Sequence, residues 1–215
     1  MKTLAIIAQK GGSGKTTVAV HMAACAAQQK LKTAIIDIDP QRSAYHWNES
    51  RPEERKLDAV AADVSQLAGL LRQAENGGVK LAIIDTAPHS SAAAAIAAKL
   101  ADYILIPCRP ARFDLDAIAS TLEIAKAANT HAAVVINAAA PRGRLADEAR
   151  AALSRQGVTV IETVLHQRAA YSHAVIDGRS VHEYEPNGAA AAEIDELYNH
   201  ITRLYGIAER RGKAA

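Results

Sequence analysis

The sequence predicts a single α/β domain built on a mostly parallel central sheet with helices on both faces. Three observations predict it. Short β-branched apolar runs recur along the chain, alanine-rich helical stretches separate them, and no internal repeat or low-complexity linker divides the 215 residues into halves. Apolar runs of about four residues suit strands covered on both faces, and their alternation with helices implies right-handed β-α-β crossovers. With 49% hydrophobic and 22% charged residues the chain can fill one substantial core, which excludes disordered and collagen-like classes.

The elements follow in order. Leu4-Ala5-Ile6-Ile7 reads as the first strand, and a glycine loop then opens a helix over 15–30. Thr33-Ala34-Ile35-Ile36 is the second strand, and 64–75 is helical. Leu81-Ala82-Ile83-Ile84, Tyr103-Ile104-Leu105-Ile106 and Ala133-Val134-Val135-Ile136 are further strands, separated by helices over 92–100 and 115–128. A helix over 144–156 precedes a shorter sixth strand, Thr159-Val160-Ile161. Aromatics are only 4%, so the helices should pack closely on small side chains. The last helix, about Ala189–Tyr205, places Ile194, Leu197, Tyr198, Ile201, Leu204 and Tyr205 along one face. A membrane-lying anchor would flank that stripe with Lys and Arg, whereas Glu193, Asp195 and Glu196 share this helix, so packing on the domain is expected. The domain is set at 1–206, with 207–215 a basic, frayed tail carrying Arg210, Arg211 and Lys213.

Composition narrows the function classes. Lys and Arg number 25 against 23 acids, a net charge of +2 that permits a patch-based contact with DNA without demanding one. Cys25 and Cys108 form no C-x-x-C pair, which argues against a disulfide framework, a zinc ribbon or a cysteine-ligated iron–sulfur cluster. The eight histidines are scattered, with no H-x-x-x-H or H-E-x-x-H pattern. The only metal expected is Mg²⁺ brought with a nucleotide. No run of about 18 apolar residues is free of charge, and the first strand enters a glycine loop instead of a cleavage site. A cytoplasmic protein with no membrane contact is expected.

The chemistry concentrates after the first strand, in Gln9-Lys10-Gly11-Gly12-Ser13-Gly14-Lys15-Thr16-Thr17. Phosphates need many donors close together, and glycines let backbone N–H groups curl around them at the positive end of the following helix. In that reading Gly11, Gly12, Ser13, Gly14 and Thr17 cradle the phosphates, Lys15 reaches the β- and γ-phosphates, and the Thr16 hydroxyl holds Mg²⁺. The fold expected is therefore of the P-loop NTPase type, with ATP as ligand. Two acidic strand ends complete the pattern. Asp37 and Asp39 stand in Ile36-Asp37-Ile38-Asp39-Pro40-Gln41, and Asp85 ends Leu81-Ala82-Ile83-Ile84, at the sheet edge where ligands bind in open α/β folds. Asp85 reads as the Walker B acid holding Mg²⁺ through water, and Asp37 as a structural partner of the loop or the metal.

The loop departs from the usual G-x-x-x-x-G-K-[ST], since Gln9 takes the first glycine position and Lys10 follows it. This K-G-G-x-G-K-T-T form resembles the deviant Walker A loop of the ParA/MinD family of ATPases, and the small plasmid-partition members in particular. The resemblance implies an ATP-bound sandwich homodimer in which Lys10 reaches the partner's phosphates as an in-trans electrostatic stabiliser. It assigns Asp39, in the D-x-D-P-Q segment, to orienting the attacking water, and Thr86-Ala87-Pro88 to the second switch. Asn137, after the strand at 133–136, takes the position of an adenine-reading asparagine. Ile106-Pro107-Cys108-Arg109-Pro110 is similar to a proline-containing strand and loop at the dimer face, which makes Cys108 a packing residue. Residues 164–174 resemble a family segment around Arg168, and Asp177-Gly178, Tyr184-Glu185-Pro186 and the final helix follow the family's order.

The resemblance further implies slow ATP hydrolysis, non-specific DNA binding by the dimer, and a ParB-like, centromere-binding or cargo-adaptor partner that stimulates release. Such a protein partitions plasmids or chromosomes, or positions a cargo, and associates with the nucleoid when ATP-bound. Arg168 is the foremost DNA contact expected, followed by Arg150, Arg179 and Arg203. Two other classes compete: a small-molecule ATP-dependent synthetase or kinase on the same fold, and a MinD-like nucleotide-gated scaffold. No second substrate constellation supports the former, and Asp39 together with the acidic last helix argues against the latter.

Overall fold

Three crossovers to one side of the first strand and three to the other build a seven-stranded, all-parallel sheet. The computed structural model describes residues 1–205, apart from the side chains at 112–116 and 205; the basic tail at 207–215 lies outside the described residues. The strands are β1 (Lys2–Ile6), β2 (Thr33–Asp37), β3 (Asp58–Ala61), β4 (Leu81–Asp85), β5 (Tyr103–Cys108), β6 (His131–Ala139) and β7 (Val160–His166). Their order is β3-β2-β4-β1-β5-β6-β7, with every pairing parallel. The helices are α1 (Lys15–Gln28), α2 (Ser43–Glu49), α3 (Leu67–Asn76), α4 (Ser91–Leu100), α5 (Arg112–Ala128), α6 (Leu145–Arg155), α7 (Ala169–Ile176), α8 (Val181–Tyr184) and α9 (Ala189–Tyr205).

Strand alternation splits the interior into two cores. Leu4, Ile6, Ile35, Ile83, Leu105 and Val135 face one way, onto α1 and α9. Ala5, Ile7, Ile36, Ile84, Ile106 and Ile136 face the other, onto α3, α4, α5 and α6. The expected close packing on small side chains is seen in α1, where Ala19, Ala23 and Ala26 are completely buried. On α9, Ile194, Leu197, Tyr198 and Ile201 are buried against the domain, but Leu204 is 53% exposed, so the apolar stripe ends a turn earlier than the sequence suggests.

Several elements go beyond the sequence reading. β3 is a four-residue edge strand, Asp-Ala-Val-Ala, with no long apolar run to announce it. β7 continues to His166 because an edge strand alternates, here burying Ile161, Thr163 and Leu165 while Glu162 faces out. The expected helix at 64–75 divides into a 3₁₀ turn, Val64–Gln66, held by an Asp63/Gln66 capping box, and α3 behind it. α2, α7 and α8 span eight residues or fewer, too short to show a helical period.

This topology positions the site. β1 is central, with β4 on one side and β5 on the other, and the chain changes side between β4 and β5. That is the switch point at which open α/β sheets bind ligands, beyond the carboxyl ends of their strands. Pairing aligns those ends: Asp85 is in register with Ile6 on β1 and with Asp37 on β2.

Candidate nucleotide site

The glycine loop leaves β1 and delivers Lys15 and Thr16 to the first turn of α1. Its curl depends on left-handed backbone at Gly12 (φ +71°) and Gly14 (φ +92°), which L side chains rarely adopt. At Gly14 space is closed as well, since a Cβ there would stand 2.2 Å from Asn137 Nδ2. That amide donates to the Ser13 carbonyl at 2.6 Å, so β6 braces the loop from behind. The Lys15 side chain lies back along the loop, its Nζ donating to the Lys10 carbonyl at 3.5 Å, and only 6% of the residue is exposed. Burial lowers its pKa, opposed by the charges of Asp85 and Asp39.

Opposite the loop, Thr16 Oγ1 donates to Asp85 Oδ2 at 2.7 Å. Asp85 is completely buried, and its other oxygen, Oδ1, has no hydrogen-bond partner among the described residues. Burial pushes its pKa up to about 7; the Thr16 hydrogen bond and Lys15 oppose that, while Asp37 and Asp39 add to it. A buried carboxylate with one orphaned oxygen, beside a hydroxyl and a desolvated ammonium, is costly unless something charged completes it. The donor set is all oxygen, which fits a hard divalent cation such as Mg²⁺, and the loop amides with Lys15 fit polyphosphate. The Ser13 hydroxyl is likewise buried without a partner among the described residues.

The remaining acids have different surroundings. Asp37 is completely buried, and its two oxygens accept from the backbone N–H groups of Asp39 (3.0 Å) and Tyr45 (3.0 Å). It therefore anchors the segment that carries Asp39 and the first turn of α2; burial raises its pKa against those bonds. Asp39 is half-buried, and its Oδ1 accepts from Gln41 N at 2.9 Å. Lys10 is half-buried, and its carbonyl accepts from Lys15 Nζ.

Two residues beside the loop carried no signal in the sequence reading of the phosphate site. The Arg109 guanidinium comes within 3.9 Å of where a Gly12 Cβ would stand, and His89 Nε2 within 3.8 Å of the same point at Gly11. His89 takes a left-handed φ of +55° while its N–H donates to the Gln9 carbonyl. A glycine run announces a loop; nothing local announces what a second loop brings against it.

The four arginines expected at DNA are mostly committed to partners. Arg168 donates through Nε (2.9 Å) and Nη2 (2.6 Å) to Glu193 Oε1. Arg179 pairs with Asp177 and stacks over the Tyr184 ring at 4.9 Å. Arg150 Nη2 donates to the Glu162 carbonyl, and Arg203 Nε to the Asn199 carbonyl at 3.1 Å. Arg168 and Arg203 line one groove of about 670 Å³ between β7 and α9, which Glu162 also lines. Arg179 stands apart, in the turn between α7 and α8. Cys108, expected as a packing residue, is buried.

A parallel sheet, a glycine loop at its switch point and a buried Asp facing the first threonine of the next helix define a P-loop nucleotide-binding domain. The chain belongs to the CobQ/CobB/MinD/ParA nucleotide-binding family, whose domain it matches over residues 4–181. It is 31% identical over 208 residues to the "Maintenance of carboxysome distribution protein A" of Halothiobacillus neapolitanus, spanning 93% of this chain and 95% of that one. It is 30% identical over 212 residues to "Protein ParA" of Rhizobium radiobacter, spanning 92% and 94%. Its fold superposes with a TM-score of 0.77 on the septum site-determining protein MinD of Pyrococcus horikoshii, solved with Mg-ADP, at 17% identity and covering 97% and 99% of the two chains. Among the described residues no helix is long and apolar enough to cross a membrane.

Proposed function

We propose that the chain is a dimerising ATPase that positions DNA or a cellular cargo. Its ATP-bound sandwich homodimer binds DNA without sequence preference. A ParB-like, centromere-binding or cargo-adaptor partner then accelerates hydrolysis and releases it. The observation that carries this reading is one site that joins the Thr16–Asp85 pair and the desolvated Lys15 to an additional, half-buried loop lysine, Lys10. The names of the relatives, one for carboxysome distribution and one ParA, support the same class of work.

Each residue has a role in that reading. The amides of Gly11 to Thr17 hold the phosphates, and Lys15 neutralises the β- and γ-oxygens. Thr16 and Asp85 would hold Mg²⁺, Asp85 through water, and the ion would screen the charge that develops on the phosphates. Asp37, both oxygens already bonded to backbone, contributes at most a water-mediated contact and mainly holds Asp39 in place. Asp39 orients the attacking water. Lys10 extends to the partner subunit's phosphates, and Asn137, fixed against the loop, lies toward the base. Turnover by one chain alone is slow because Lys10 acts in trans, so each site is complete only in the dimer. The protein works in the bacterial cytoplasm, on the nucleoid when ATP-bound.

Sedimentation velocity on the Asp39→Ala chain tests the dimer. With ATP and Mg²⁺ the chain should sediment as a dimer, and with ADP as a monomer. A monomer in both, with ATP demonstrably bound, overturns the proposal.

A further inference from the structure

Behind the nucleotide site, three unlike ligating groups from three helices meet. Cys25 lies toward the far end of α1, His182 in α8 and Asp195 in α9, and their ligating atoms lie within 4.8 Å of one another. The Cys25 thiol donates to Asp195 Oδ1 at 3.4 Å, and His182 Nε2 lies 2.9 Å from the same oxygen. One carboxylate oxygen is thus the apex of a thiol and an imidazole. Two protons hold together a sulfur, a nitrogen and an oxygen that are each a metal ligand once the proton is gone.

We infer that Cys25, His182 and Asp195 form a Zn²⁺-binding site that joins α1, α8 and α9. The donor set is the mixed sulfur, nitrogen and oxygen set that zinc accepts. Tetrahedral zinc at ordinary bond lengths places its ligand atoms about 3.3–3.6 Å apart. The Cys25–Asp195 separation already lies in that range, and the His182–Asp195 separation must open by a few tenths of an ångström. The burial is graded as an entry path requires. Cys25 is buried, the His182 side chain is 10% exposed, and that of Asp195 is 45% exposed, leaving a water-accessible side for a fourth ligand.

His21, one helical turn before Cys25 on α1, is not a ligand. It is completely buried, and its Nδ1 accepts from Val181 N, so the neutral ring carries its proton on Nε2. Zinc binding therefore uses three protein ligands and one water. It displaces the Cys25 proton to solvent and requires the His182 proton on Nδ1, so a neutral ring shifts its proton from Nε2 to Nδ1 and only a charged ring releases one to solvent, with no change of oxidation state. Burial and the neighbouring Asp195 carboxylate raise the Cys25 pKa, so the thiol stays protonated until a metal replaces that proton. The site lies at the other end of α1 from the glycine loop and is independent of nucleotide binding there.

The test uses the full chain without a histidine tag. Zn²⁺ is titrated against a chromophoric chelator, and Co²⁺ in parallel for its near-ultraviolet thiolate charge-transfer band. One equivalent of each should bind, with the band present. Cys25→Ser should abolish the band and weaken Zn²⁺ binding by at least about tenfold, as should His182→Gln, while Cys108→Ala keeps both. Melting curves of the variants without metal establish that they are folded. Stoichiometric zinc binding that survives Cys25→Ser, or its absence from the unmodified chain, overturns the assignment.

Discussion

The two ends of this molecule treat their charges in opposite ways. Around the glycine loop, polar groups are buried and incompletely satisfied. Asp85 keeps an oxygen with no partner among the described residues, the Ser13 hydroxyl has none there, and Lys15 is desolvated with one long contact to a carbonyl. Along β7 and α9 the opposite holds. Glu193 accepts from Arg168, from His166 N at 3.1 Å and from Tyr171 Oη at 3.2 Å, and its Oε1 lies 2.7 Å from His166 Nδ1. Buried polar atoms are ordinarily satisfied, so the first region is built for something that arrives and the second for holding itself together. For DNA binding this means that an arginine in the matching sequence position is not thereby available. To meet DNA, Arg168 and Arg179 would have to share or leave their carboxylates, whereas exposed Arg203 would give up a bond to a backbone carbonyl.

Four substitutions would break or sharpen that contrast. Lys10→Ala should have the largest effect: ATP affinity nearly unchanged, but partner-stimulated turnover reduced by about a thousandfold or more, as for loss of an arginine finger. Nucleotide titration and single-turnover hydrolysis measure the two separately, and normal stimulated turnover would remove Lys10 from the partner's site.

Asp85→Asn should remove Mg²⁺-dependent hydrolysis and yet stabilise the nucleotide-free chain. The folded pKa is about 7 against an ordinary value of 3.8, so the folded state binds the proton more tightly than the unfolded state. Stability therefore falls as the pH rises from about 4 to about 7, and the loss is complete above that. At pH 8 the substitution should gain about 2–4 kcal/mol. At pH 5 most of the gain should vanish. Thermal melts at both pH values decide it; no gain at pH 8 would mean that Asp85 is ionised without strain, and a gain independent of pH that it does not come from removing a buried charge.

Glu193→Ala acts on the satisfied region and should cost about 2–3 kcal/mol in chemical denaturation. It strands Arg168 and Tyr171, and the figure is held down because Arg168 remains partly exposed. Unchanged stability would make that network incidental. Arg203→Ala should be the mildest, with no change in melting. If it contacts phosphate, DNA affinity falls about two- to threefold for any sequence and the salt slope drops by about one.

How much of this was legible in the sequence follows from distance along the chain. The phosphate loop, Asp39 and Asp85 stand out as candidates in the sequence because each lies in a few contiguous residues next to a strand. For Asp37 the sequence suggests a partner in the loop or the metal, and the structure adds a bond from Tyr45 N, eight positions on, that anchors α2. Asn137 reads in the sequence as a base contact, and in the structure its amide braces Ser13 from a strand two places from β1. The pairing of Arg168 with Glu193, the approach of Arg109 to Gly12, and the meeting of Cys25, His182 and Asp195 all join segments that only the folded topology brings together. The short edge strand β3 and the short helices α2, α7 and α8 escaped for a different reason, having too few residues to display a period.

Switching of DNA binding by the nucleotide is the central claim. Co-sedimentation with DNA of unrelated sequences, run with ATP, with ADP and without nucleotide at low and moderate salt, tests it directly. The account predicts binding with ATP alone, indifferent to sequence and steeply weakened by salt. Failure to bind in any state while ATP is bound, or equal binding in all three, would contradict it.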